Sequence, residues 1–168
     1  MKRLLIFLSL VLLPLIIQGQ MVLNSRSNYM QASAPAGGDG EMISNGGFDD
    51  DTDWITLGGT FAFTGGKCNY DNVGGNGILE QEDATMNSSI EINTAYTLEF
   101  DIVNVSGLAY FIVKNVGGAI TYKSAASYAT NHHIVTFTTP ADIGGGGIDF
   151  YIYADNDFSI DNISLIKD

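Results

Sequence analysis

Past residue 41 the chain runs in short stretches of β-branched and aromatic residues, alternating with polar positions and broken by clusters of Gly, Asn, Asp and Pro. That is the pattern of half-buried strands. The runs fall at 41–48, 59–64, 67–72, 77–81, 96–103, 108–114, 119–123, 132–138, 148–154 and 158–166. No stretch keeps helical spacing beyond about a dozen residues, and strands recurring every ~8–12 residues suit two packed sheets. The predicted fold is all-β, a single antiparallel β-sandwich over 42–168.

Alternation also assigns faces. In 148–154, Ile148, Phe150, Ile152 and Ala154 share one side and Asp149, Tyr151 and Tyr153 the other, because successive strand side chains point oppositely. Leu98, Phe100 and Ile102 turn inward, which sends Glu99 and Asp101 outward, and Tyr110 and Lys114 lie opposite Phe111 and Val113. If these strands share a sheet, Tyr110, Tyr151, Tyr153, Asp149, Glu99 and Asp101 form one exposed face of tyrosines and acids. Adjacent His132 and His133 point to opposite faces and do not chelate one metal.

Glycine pairs and runs at 65–66, 74–77, 117–118 and 144–147 punctuate the strands. They lead into strands, whereas a phosphate-binding loop needs a helix directly after it. Met1, Lys2 and Arg3 precede an apolar run from Leu4 to Ile17, followed by Gln18-Gly19-Gln20, which reads as a secretory signal peptide over 1–19. The run is shorter than the ~20 residues that cross a bilayer. Residues 20–41, rich in Ser, Asn, Ala and Gly, read as a flexible leader. The expected product is exported, to the medium, cell surface or periplasm, with no membrane insertion after cleavage. Its single cysteine, Cys68, makes no internal disulfide and reads as a small buried hydrophobe.

The formal charge is −12, and becomes −14 once Lys2 and Arg3 leave with the signal. Such a surface repels phosphate, so nucleic acid and anionic membrane are excluded as partners. Neutral ligands and cations are compatible. No nucleophile elbow, cysteine cluster or His pair at helical spacing occurs, and paired acids such as Glu80 with Glu82 are weak grounds for a glycosidase. The chain reads as non-catalytic.

Two motifs bracket the strands: Asn45-Gly46-Gly47-Phe48-Asp49 with Trp54, and Phe158-Ser159-Ile160-Asp161-Asn162-Ile163-Ser164-Leu165. With the run of short strands between them, they resemble the carbohydrate-binding modules of families 4, 9 and 22, galactose-binding-like jelly rolls whose relatives include phage structural proteins and surface adhesins. The resemblance spans about 42–168. It implies a structural calcium held between Asp49 and Asp161, with backbone carbonyls completing the shell. The alternative for Asp161 is a buried acid accepting backbone donors in a turn. Trp54 corresponds to a tryptophan packed in the core.

Sugars offer C–H patches for stacking and hydroxyls for carboxylates, so Tyr110, Tyr151 and Tyr153, with Asp149, Glu99 and Asp101, are the candidate carbohydrate site. The same tyrosines also suit a half-buried layer or an oligomer surface. Tyr122 and Tyr128 are candidates for a loop-built pocket. Two functions follow: a secreted module that binds a polysaccharide or other glycan without cleaving it, or a structural or adhesion protein that assembles as a homo-oligomer or with envelope or virion proteins.

Overall fold

The computed structural model describes residues 40–105, 107–154 and 156–168. The expected signal peptide, and all but the last two residues of the expected leader, lie outside the described residues. Among the described residues ten strands form: β1 (Ile55–Gly58), β2 (Thr60–Phe63), β3 (Cys68–Asp71), β4 (Gly77–Gln81), β5 (Ala95–Val103), β6 (Ala109–Lys114), β7 (Thr121–Tyr128), β8 (Asn131–Thr138), β9 (Ile148–Ile152) and β10 (Phe158–Lys167). They build two antiparallel five-stranded sheets, ordered β1-β4-β9-β6-β7 and β2-β3-β10-β5-β8. The expected all-β sandwich is what forms. Among the described residues no helix is long and apolar enough to cross a membrane.

The inward faces meet as alternation predicts. Leu98, Phe100 and Ile102 of β5 and Ile148, Phe150 and Ile152 of β9 are all within 1% of full burial. Aromatic contacts fill the core: Phe100 of β5 meets Phe111 of β6 edge-on across the two sheets at 5.4 Å, and Phe111 meets Phe150 of its own sheet at 5.6 Å. Such pairs add about 0.5–1.5 kcal/mol beyond area burial. Trp54 packs between Phe48 (5.2 Å) and Phe150 (6.4 Å), and its indole N–H donates to the Asn45 carbonyl at 3.0 Å. Cys68 is fully buried, and burial pushes its thiol up to about 12. Tyr122 and Tyr128, candidates for a loop-built pocket, both lie on strand β7. Both are buried, Tyr122 stacked on Phe137 and Tyr128 on Phe111.

The opening motif departs from expectation. Residues 41–48 form no strand beyond an isolated bridge between Glu41 and Ile166. Asn45 and Phe48 have positive φ, 49° and 50°, which interrupts an extended run. Tertiary hydrogen bonds hold the segment instead. Glu41, expected at the end of the leader, accepts from the Leu165 N–H (2.9 Å) and from the Ser164 hydroxyl. Met42 N–H donates to the Leu165 carbonyl and Ile163 N–H to the Gly46 carbonyl, both at 2.9 Å. Gln81, fully buried on β4, exchanges two bonds with the Ser44 backbone.

This docking requires glycine at position 46: a Cβ there would lie 1.8 Å from the Ile163 carbonyl oxygen. Contact that close forces backbone apart, which flexible side chains cannot absorb. Gly46→Ala is expected to cost about 3 kcal/mol, the upper end of ordinary overpacking, read as a lower urea midpoint with an unchanged m-value.

Candidate functional site

The outer face of the β1-β4-β9-β6-β7 sheet is ordered by strand register. One row across it runs Ile55, Glu80, Asp149, Lys114 and Thr121, each paired with the next. The adjacent row runs Leu57, Ile78, Tyr151 and Ile112. Tyr153 follows beyond Tyr151, its N–H donating to the Tyr110 carbonyl at 3.0 Å. Three rings converge, Tyr110 on Tyr153 at 4.8 Å and Tyr151 on Tyr153 at 5.3 Å. Their planes are inclined by 34° and 74°, so they line a shaped surface and not a flat shelf.

The tyrosines are half-buried, while Leu57 is 48% exposed and Ile55 37%. An apolar strip therefore crosses the face, edged by polar groups. Asn76 donates its amide to the Tyr151 hydroxyl at 3.3 Å, and the Lys114 ammonium sits over the Tyr151 ring, 5.4 Å from its centroid.

Asp149 is fully buried, and both its carboxylate oxygens lack a hydrogen-bond partner. The turn between β6 and β7 covers it. That turn is anchored by buried Asn115, whose carbonyl accepts from the Gly118 N–H (2.9 Å) and whose side chain accepts from the Ile120 N–H (2.6 Å). Gly117 and Gly118 have φ of 86° and 69°, a left-handed path that glycine takes at little cost. Burial pushes the Asp149 carboxyl up to about 7, the Glu80 charge adds to the rise, and Lys114 opposes it. Glu80 is raised too, by burial first and then by Glu82.

Glu99 and Asp101 lie elsewhere. They belong to β5 in the other sheet, where Leu98 and Phe100 are its core residues, so the single face of tyrosines and acids divides into two on opposite sides of the sandwich. Strand adjacency is not legible from alternation, which explains the difference. There His132 Nδ1 meets Asp101 Oδ1 at 2.8 Å, its Nε2 lies 3.6 Å from Glu99, and Asn162 donates to Asp101 at 2.7 Å. His133 points inward and stacks on Phe100 at 5.4 Å.

Asp161 pairs with Asp101 across β10 and β5, beside a bulge between Asp161 and Ser164 where Asn162 has φ of 51°. It is 5% exposed and accepts from the Asn162 N–H at 2.8 Å. Burial raises its pKa, the Asn162 bond and Lys67 lower it, and Asp101 and Asp49 raise it. Asp49 is exposed in the opening loop. Among the described residues no three His, Cys, Asp or Glu side chains gather in a metal-holding group, so any cation here would rest on two carboxylates and backbone carbonyls. A recess lined by Glu82, Asp83, Ala84, Val116, Gly144 and Gly145 includes none of the tyrosines.

Sequence reasoning missed the apolar half of the face. Strand β1 was not expected, and with it Ile55 and Leu57 went unplaced, although Ile78 and Glu80 already alternate with core Leu79.

No protein-family model matches the chain, and no curated protein matches it in sequence. Solved structures do. A CBM4 structure, that is a carbohydrate-binding module of family 4, is 20% identical, covering 71% of this chain and 98% of its own, with a TM-score of 0.51. The N-terminal cellulose-binding domain of Cellulomonas fimi β-1,4-glucanase C is 21% identical over 76% of this chain and 97% of its own, with a TM-score of 0.50. The K3 cleaved adhesin domain of Lys-gingipain from Porphyromonas gingivalis, 9% identical, covers 76% and 97% with a TM-score of 0.50. In fold, the chain is a two-sheet β-sandwich similar to those of these carbohydrate-binding modules.

Proposed function

We propose that the protein is a secreted, non-catalytic module that binds a neutral glycan on the outer face of the β1-β4-β9-β6-β7 sheet. The observation that carries this reading is the strip of Leu57, Ile78, Tyr151 and Ile112 running into the Tyr110–Tyr153 pair. A strip of rings and aliphatic side chains edged by the Asn76 amide matches the C–H faces and hydroxyls of a sugar chain. The formal charge of −12 favours an uncharged polysaccharide over an acidic one. Secretion rests on the apolar run after Lys2 and Arg3.

Titration of the protein with a panel of soluble neutral polysaccharides tests the reading. Binding of at least one is expected, and Tyr151→Ala should weaken it about tenfold, roughly 1.4 kcal/mol, with the urea midpoint little changed because the ring is half-buried. Unchanged affinity moves the site off this face. No binding by any polysaccharide, together with a stable oligomer, favours an assembly or adhesion protein.

A structural calcium between Asp161 and Asp49 is the lesser part of the proposal. It is supported by the burial of Asp161 and by the repulsion from Asp49 and Asp101 that a cation would relieve. Chelation at fixed protein concentration should then lower the melting temperature, since an ion bound only to the folded chain stabilises it by mass action. An unchanged melting temperature removes calcium and leaves Asp161 as an acid held by Lys67 and the Asn162 N–H.

A further inference from the structure

Three groups on the proposed glycan face stand in an unusual relation. The Lys114 ammonium lies over the Tyr151 ring at 5.4 Å, on the surface a sugar would stack against. Its cross-strand neighbour is Asp149, whose two oxygens are buried and unpartnered. Between them stands Gly118, where a Cβ would be 3.5 Å from Lys114 Nζ and 3.8 Å from Asp149 Oδ2. The absence of a side chain there leaves a path from one to the other. Lys114 thus has two resting places within reach, a ring face and a carboxylate, and only one leaves the ring free.

We propose that Lys114 is a proton-controlled cover on Tyr151: it rests on the ring while Asp149 is protonated and swings to Asp149 when that carboxyl ionises, uncovering the ring for glycan. The inference rests on the glycan reading of this face for its consequence but not for its mechanism. Cation–π contact at a partly exposed ring is worth about 0.5–1 kcal/mol, less than a charge-assisted bond to a buried carboxylate, so ionisation decides the position. The charged groups facing Asp149 are Glu80 from β4 and Lys114 from β6. The 115–120 turn brings none, and Thr121 of β7 is uncharged. Glu82 acts on it through Glu80. With the carboxyl pushed up to about 7, the ring is covered below that pH and free above it. Both histidines lie on the other sheet, so their titration does not reach this face.

Lysine-labelled protein followed by NMR from about pH 5 to about pH 9 reads the cover without any glycan. The Lys114 methylene next to the ammonium should be shifted upfield by the Tyr151 ring at low pH and lose that shift through about pH 7, whereas in Asp149→Asn it should stay shifted throughout. A wild-type shift that does not move, or an Asp149→Asn protein that titrates in the same way, overturns the proposal. Gel retardation in hydroxyethyl cellulose supplies the second arm, expected to strengthen about fivefold from the low to the high pH, with the pH dependence abolished in Lys114→Met. Retardation equal at both pH values in the wild type counts against the cover. A Lys114 titration as described with no retardation by any polysaccharide upholds the cover and overturns the glycan reading.

Discussion

Strand β9 is hydrogen-bonded along both edges, to β4 and to β6, and that double pairing fixes the direction of each of its side chains. Ile148, Phe150 and Ile152 go to the core, where Phe150 meets Phe111 and Trp54. Asp149 and Tyr151 go to the opposite face. A slip of one residue would exchange the two sets, placing an acid and a phenol in the core and three large hydrophobes in water. Burial of those hydrophobes, at about 1.5–3 kcal/mol each, is thus the same constraint that presents Tyr151 outward. The core and the candidate site are two readings of one register.

The second sheet needs a different closure. Strand β10 occupies its centre between β3 and β5, but its ladder to β3 ends at Ile160 while its ladder to β5 runs on to Lys167. The 41–46 segment takes over that edge: the Gly46 carbonyl takes the Ile163 N–H, and the Glu41 carboxylate takes the Leu165 N–H. Each would otherwise be a backbone donor without its sheet partner, at the cost that buried unpaired donors carry. Residues read as a flexible leader and an opening strand act together as the partner of β10 along the edge that β3 leaves open.

Much of this was legible in the sequence, for a physical reason. A period of two is set by the backbone, so it survives in one strand read alone: nine of the ten strands, the buried Leu98-Phe100-Ile102 series and the outward Tyr151 followed from it. Strand order was not legible, because it is fixed by contacts between distant segments. Glu99 was grouped with Tyr151 on one face although β5 and β9 lie in different sheets. Strand β1 was lost for another reason: its four residues, Ile55–Gly58, are half or fully exposed at a sheet edge and show no buried alternation. The 41–48 segment misled because Ile43 and Phe48 are core residues while Asn45 and Phe48 have left-handed backbone, which hydropathy does not register.

Buried polar residues on neighbouring strands show what the candidate site costs the fold. Gln81 and Asp149 are both fully buried, one residue apart in the β4–β9 register. Gln81 has its amide oxygen and nitrogen bonded to Ser44, so its burial helps to fasten the opening segment. Asp149 has neither oxygen bonded. Its carboxyl is pushed up to about 7, against an ordinary value near 3.9 in an unfolded chain. Between those values the folded protein holds a proton that the unfolded chain has released. Stability therefore falls as pH rises through that window, and the loss is complete above about 7. An acid that packing alone would not select, placed beside the one lysine that covers a ring of the tyrosine cluster, is a local conflict of the kind that folds carry at working sites. That conflict, more than the tyrosines themselves, distinguishes this face from the opposite one, where Asp101 and Glu99 have His132 and Asn162 as partners.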